Sequence, residues 1–188
     1  MKHGRMDIGM PHSITLEQII NFLLEAPMFG DLDSPELSQI VHIMQIQRIR
    51  DAHPIFREGD AGDAWFVIFE GRADVFKDEE FLPSRRIAEL GPRACFGEMA
   101  ILDHSPRSAS VIAQGDVTVF RFPRKEFEML LQEGNLAAYK LIYEMAKVLC
   151  TRARATAAQL AEALADASAP DRLHKTSKKL VEGQSVSE

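Results

Sequence analysis

Hydrophobic positions change their period twice along the chain. Residues 1–13 carry no periodicity and read as a loose arm. Thr15-Leu16-Glu17-Gln18 has capping-box spacing, with Thr15 as N-cap and Gln18 at the third helical position. Leu16, Ile19, Ile20, Leu23 and Leu24 follow at helical spacing, and Pro27 stops the run. Ser34-Pro35-Glu36 predicts a second start, with the Ser34 hydroxyl as cap and Pro35 suited to the first turn. Leu37, Ile40, Val41 and Met44 form its apolar stripe.

From about residue 45 to 122 the pattern shortens to apolar or alternating runs: 46–49, 55–56, 65–69, 73–76, 111–113 and 117–122. Turn chemistry separates them at Glu58-Gly59-Asp60, Ala61-Gly62-Asp63, Glu70-Gly71, Leu90-Gly91-Pro92 and Gly115-Asp116. Strands this short and this regularly spaced predict a small antiparallel barrel or jelly roll, and no strand–helix alternation points to a doubly wound sheet. After Pro123 helical spacing returns. Phe127, Leu130 and Leu131 mark a short helix ending near Gly134. A long one runs from about 136 to 165, with Leu141, Met145, Val148, Leu149, Leu160 and Leu164 along one side. The expected layout is an arm over 1–13, a β unit with flanking helices over 14–134, a C-terminal helix over 135–168 and a disordered tail over 169–188.

Composition narrows the class. At 188 residues with 46% hydrophobic and 27% charged positions, the chain can bury a core without a disulfide or metal staple. The net charge of −6 disfavours a protein whose main work is holding nucleic acid. No apolar run approaches the ~20 residues of a membrane span, and the first dozen residues lack a signal-peptide core. Cys95 and Cys150 make no framework and read as buried or half-buried thiols. The expectation is a cytoplasmic setting, with neither membrane nor DNA as partner.

One stretch carries chemistry: Phe96-Gly97-Glu98-Met99-Ala100-Ile101-Leu102, a spacer Asp103-His104-Ser105, then Pro106-Arg107-Ser108-Ala109-Ser110-Val111. Residues 99–102 can form one helical turn whose first amides are free for an anion. A short turn can fold Arg107 back toward Glu98. That combination supplies a fork-shaped cation for a phosphate, backbone donors, and a carboxylate that accepts from hydroxyls.

This stretch resembles the phosphate-binding cassette of the cyclic nucleotide-binding domain family, whose pattern is FGE-(L/M)-A, a spacer, then PR-x-A-x-V. Residues 55–60 and 65–71 look like the family's early strands, Leu90-Gly91 like its lead-in, and the helix after Pro123 like its hinge; about residues 15–165 are covered. Ala52 stands where many members place a turn glycine. The resemblance implies an α+β fold: an antiparallel β-roll (double-stranded β-helix or jelly roll) with N-terminal helices and a long C-terminal helix. It implies cAMP or cGMP as regulatory ligand, with cAMP preferred, and no metal. Arg107 would pair with the cyclic phosphate, and Glu98 would accept from the ribose 2′-hydroxyl. Amides around Gly97, Met99, Ala100 and Ser108 would complete the donors, flanked by Phe96 and Ala109. Arg152 on the long helix would stack on or hydrogen-bond the purine.

Bland assignments compete with these. Trp65 reads as strand core, and Gly59, Gly62 and Gly71 as turn residues. Asp103-His104-Ser105 invites a triad, but sequence neighbours rarely converge in that way. His53 and His104 are the only histidines of the β region, too few for a metal-binding jelly roll. The chain is therefore expected to be a stand-alone, non-enzymatic sensor acting on an unidentified protein effector, and to be able to dimerise through its Ala-rich helix. The alternative is an interaction scaffold that needs no ligand.

Overall fold

In the computed structural model, which describes residues 14–79 and 82–168, the first helix begins as its sequence predicts. The Gln18 amide donates to Thr15 Oγ1 (3.2 Å) and the Thr15 amide to Gln18 Oε1 (2.8 Å), closing the capping box of α1 (Leu16–Leu24). Ile19 and Leu23 are buried, while Leu16 faces solvent. Pro27 does more than stop the run: it opens a 3₁₀ turn, Pro27–Phe29, that buries Met28 and Phe29. The expected arm (1–13) and tail (169–188) lie outside the described residues.

The cap of α2 (Ser34–Val41) is Asp33, not Ser34. Asp33 Oδ1 accepts the Glu36 amide (2.8 Å), and Glu36 Oε2 accepts the Asp33 amide (3.0 Å). A carboxylate gains more than a hydroxyl from the positive end of a helix, which moves the boundary back by one residue.

Among the described residues six strands follow: β1 (Gln45–Ile49), β2 (Pro54–Phe56), β3 (Ala64–Glu79), β4 (Leu82–Leu90), β5 (Cys95–Phe96) and β6 (Ser110–Pro123). They pair antiparallel in the order β1-β6-β3-β4, with β2 also on β6 and β5 on β3. With α3 (Met99–Asp103), α4 (Arg124–Gln132) and the long α5 (Leu136–Ser168), this is the α+β architecture of an antiparallel β-roll with flanking helices.

Two expectations about the strands are corrected. Runs 65–69 and 73–76 belong to one strand, β3, and runs 111–113 and 117–122 to another, β6; they pair from Ala64↔Pro123 to Phe76↔Ser110. Gly71 (φ +88°) and Gly115 (φ +73°) bend these strands without ending them. The register shifts on both sides of Glu70, as a bulge requires. A Cβ at Gly71 would lie 2.6 Å from the Asp116 carbonyl oxygen, so the partner strand also excludes a side chain there. The second correction is β4, which the hydrophobic pattern does not reveal. From Ser84 to Glu89 its residues are exposed. It is held to β3 by ladder bonds and by ion pairs Arg72–Glu89 and Arg86–Asp74 (2.7 Å). A charged outer strand of this kind also blunts an open sheet edge.

Trp65 is core, as expected. It stacks on Phe122 (centroids 4.1 Å apart, planes 9° apart) and meets Phe29 at 5.8 Å and Phe127 at 6.0 Å. The 3₁₀ turn and α4 are thereby fixed on the roll. A second aromatic set, Phe56, Phe66 and Phe96, fills the roll beside β5. The described residues fall into two compact units, one ending at Ala146 and the other beginning at Lys147. In the first, Ala137, Ala138, Leu141 and Met145 are the buried face of α5; in the second, Leu160 and Leu164 are exposed. Cys95 is buried, but Cys150 is exposed rather than half-buried. Among the described residues no helix is long and apolar enough to cross a membrane.

Candidate functional site

Between β5 and β6 the chain turns at Gly97, forms the single helical turn α3, and returns through Arg107. Gly97 has φ +77°, a left-handed conformation that favours glycine, and a Cβ there would lie 2.8 Å from Arg107 Nη1. Glu98 caps α3 with its carbonyl, which accepts the amides of Ile101 (3.0 Å) and Leu102 (3.2 Å). Its side chain is buried, the residue being 1% exposed. Met99 is exposed and Ala100 buried; Ser108 is exposed, with its Oγ 3.8 Å from Met99 Sδ, and Ala109 is half-buried. Phe96 lies on the aromatic floor under this turn.

Arg107 is the centre of the arrangement. Its side chain is 1% exposed. Nη1 donates to the Gly97 carbonyl (2.9 Å), and Nη2 to the Ala64 carbonyl (2.7 Å). Its guanidinium carbon stands 4.2 Å from the Phe56 ring centroid and 5.6 Å from that of Phe66. Nε is buried with no hydrogen-bond partner among the described residues. Burial pulls the guanidinium pKa below its ordinary value; Asp63 opposes this, while the positive charges of Arg124 and Arg121 add to it. Asp63 Oδ1 lies 3.4 Å from Arg107 Nη2, and Asp63 is itself solvent-exposed. A buried cation so weakly compensated is suited to a small anion.

The backbone of Arg107 is held as firmly as its side chain. Its carbonyl accepts the Gly59 amide (2.9 Å), and its amide donates to the Asp60 carbonyl (2.8 Å). The Glu58 amide donates to Ser110 Oγ (2.9 Å), so the 57–60 turn lies along residues 107–110 like a further rung. Lys77 donates to the Ser108 carbonyl (2.9 Å) and to Glu58. The Lys77 hydrogen bond, then the Asp78 amide, hold the Glu58 carboxyl below its usual range.

Gly62 is more than the turn residue its sequence suggests. Its φ is not left-handed, yet a Cβ there would lie 2.3 Å from the Ala100 Cβ. Its missing side chain lets the 61–63 loop touch α3. Asp103 accepts the Ser105 amide (2.9 Å), which lowers its pKa and closes the turn. The His104 ring lies 3.8 Å from Glu128 on α4, while the Asp103 carboxylate is engaged by the Ser105 amide, an arrangement unlike a nucleophile–base–orienter relay. Among the described residues no group of three His, Cys, Asp or Glu could hold a metal ion.

The cyclic nucleotide-binding domain family matches residues 46–134, from β1 through the end of α4. The chain carries a cyclic nucleotide-binding domain. It is similar to the cyclic AMP receptor protein of Thermus thermophilus, 31% identical over 124 residues, which are 66% of this chain and 57% of that protein. It is also similar to a cAMP-dependent protein kinase regulatory subunit of Eremothecium gossypii, 28% identical over 117 residues, 62% of this chain but 24% of that subunit. A crystal structure of a cyclic nucleotide-binding domain from Methylobacillus flagellatus superposes with a TM-score of 0.70 at 26% identity, covering 78% of this chain and 84% of that one. The chain thus spans from about a quarter to just over half of these curated relatives.

Of the residues singled out from sequence, Phe96, Gly97, Glu98, Met99, Ala100, Arg107, Ser108 and Ala109 share one turn of the cyclic nucleotide-binding domain. Arg152 is exposed on the second unit. Sequence reasoning missed Asp63, Phe56, Arg121 and Arg124. Asp63 reads as loop and Phe56 as strand core, and they reach Arg107 only through sheet pairing. A signal for Asp63 did exist, because a buried arginine calls for a carboxylate nearby.

Proposed function

We propose that this chain is a non-enzymatic cyclic nucleotide sensor, with cAMP as ligand and cGMP as the alternative purine. Arg107 pairs with the cyclic phosphate, Glu98 accepts from the ribose 2′-hydroxyl, and amides of Gly97, Met99, Ala100 and Ser108 complete the donors between Phe96 and Ala109. Arg152, on the C-terminal helix over 135–168, serves the purine. Repositioning of that helix is read by a protein effector in the cytoplasm, and the same helix provides a homodimer contact. The observation that carries this reading is the buried Arg107, whose charge is offset by a shared and exposed Asp63 and whose Nε has no partner among the described residues. The names of the Thermus and Eremothecium relatives support cAMP.

A ligand-independent scaffold is the second reading. It draws on the two backbone carbonyls that Arg107 already serves.

Thermal unfolding of refolded, nucleotide-free protein separates the two. At a hundred times its dissociation constant a ligand adds about 2.7 kcal/mol, a rise of roughly 5–10 °C. The sensor predicts that rise with cAMP or cGMP, but not with AMP and not in Arg107→Ala. No rise with either cyclic nucleotide leaves the scaffold.

A further inference from the structure

Arg107 does not have Asp63 to itself. Arg121, on β6, donates from Nη2 to Asp63 Oδ2 at 2.6 Å, well inside the 3.4 Å that separates Asp63 Oδ1 from Arg107. Arg121 is anchored from its other side, with Nη1 donating to Gln45 Oε1 on β1 (2.9 Å). Its backbone sits opposite Gln45 on one flank and Phe66 on the other, at the middle of the roll. The Asp63 carbonyl is also fixed, accepting the Arg124 amide at 2.8 Å. The carboxylate is therefore held from two directions, and the closer guanidinium is the one outside the cassette.

We infer that Arg121 is a positioning residue for the anion site: by holding Asp63 it keeps that carboxylate from closing fully onto Arg107, and so leaves the Arg107 charge available to a cyclic phosphate. The inference rests on the sensor reading above and adds to it the residue that sets phosphate affinity from outside the cassette. With Arg121 gone, Asp63 turns onto Arg107 and a phosphate has to displace a complete ion pair. With Asp63 neutralised, Arg121 has nothing left to hold, and its removal changes little. Those two statements define a coupling that a general field effect of a nearby cation does not produce.

The test is calorimetric titration of the full chain with cAMP and cGMP, using wild type, Arg121→Gln, Arg121→Lys, Asp63→Asn and the Asp63→Asn/Arg121→Gln double variant. The expected result is an affinity loss of about five- to twentyfold for Arg121→Gln, and less than about twofold for the same change made on Asp63→Asn. Arg121→Lys, which keeps a cation for Asp63, should recover most of the loss. Ligand-free thermal midpoints identify any variant that is simply unfolded, and the lysine variant then carries the comparison. Equal losses in both backgrounds would show that Arg121 acts by its field alone, and wild-type affinity in Arg121→Gln would remove its role; either overturns the inference while leaving the sensor intact. Failure of the wild-type chain to bind either nucleotide overturns both.

Discussion

Lys140 Nζ donates to both carboxylate oxygens of Glu36, at 2.6 and 2.7 Å, so that α2 grips the first turns of α5. The pair is partly buried, and Glu36 also closes the α2 capping box, so one carboxylate serves two elements. The Lys140 hydrogen bond, then the Asp33 amide, hold the Glu36 carboxyl below its ordinary 4.5.

This fixes the sign of a pH dependence. A carboxyl whose pKa is lower folded than unfolded contributes stability that is present above about 4.5 and is lost as pH falls through the lower, folded value. Wild type should therefore exceed Lys140→Met in thermal midpoint at pH 6, and the gap should narrow steadily toward pH 3. A gap that stays constant across that range would show that Lys140 acts through its methylene packing instead.

Two glycines, Gly97 within the cassette and Gly62 packed against it, should fail for different reasons. Gly97→Ala places a methyl 2.8 Å from Arg107 Nη1 at a left-handed φ, and the backbone alone costs about 1–2 kcal/mol. The thermal midpoint should fall by roughly 2–8 °C. Gly62→Ala meets no backbone strain but collides with Ala100, at about 1–3 kcal/mol. Adding Ala100→Gly should restore part of the Gly62→Ala loss and none of the Gly97→Ala loss. A double variant no more stable than Gly62→Ala alone would count against the contact between the 61–63 loop and α3.

Ala52 offers a stabilising change. It holds φ +58° in the turn before β2, where its amide donates to the Ala113 carbonyl at 3.0 Å. The left-handed conformation costs an alanine about 1–2 kcal/mol, while glycine gives up about 0.5–1 kcal/mol in extra freedom when unfolded. Ala52→Gly should gain up to about 1 kcal/mol, or roughly 2–4 °C in midpoint. A drop on differential scanning calorimetry would mean that the turn is already relaxed.

Local chemistry was largely legible from sequence where partners are close in the chain, although the α2 cap reads one residue late, at Ser34 instead of Asp33. Thr15 and Gln18 announce their capping box, and Phe96 to Val111 announce the cassette. What sequence hides is whatever depends on pairing between distant segments. β4 carries polar residues on an outer strand and holds to β3 through Arg72, Arg86 and Glu89, so no hydrophobic alternation marks it. Gly71 and Gly115 look like strand ends because a bulge and a turn use the same residue; only the continuous ladder of β3 on β6 tells them apart. Asp63 meets Arg107 and Arg121 across 44 and 58 residues of chain, distances at which spacing says nothing.

The chain's one tryptophan is sealed between Phe122 and the edge of Phe127, and its indole Nε1 has no hydrogen-bond partner among the described residues. An indole so placed emits at short wavelength, as in a hydrocarbon solvent, and Phe127 belongs to α4, the helix that follows the last strand. Any displacement of α4 lifts one wall of that enclosure and lets solvent dipoles relax around the excited ring. The protein thus carries its own optical reporter: Trp65 fluorescence reads, without a label, the docking of α4 through Phe127 and of the 3₁₀ turn through Phe29.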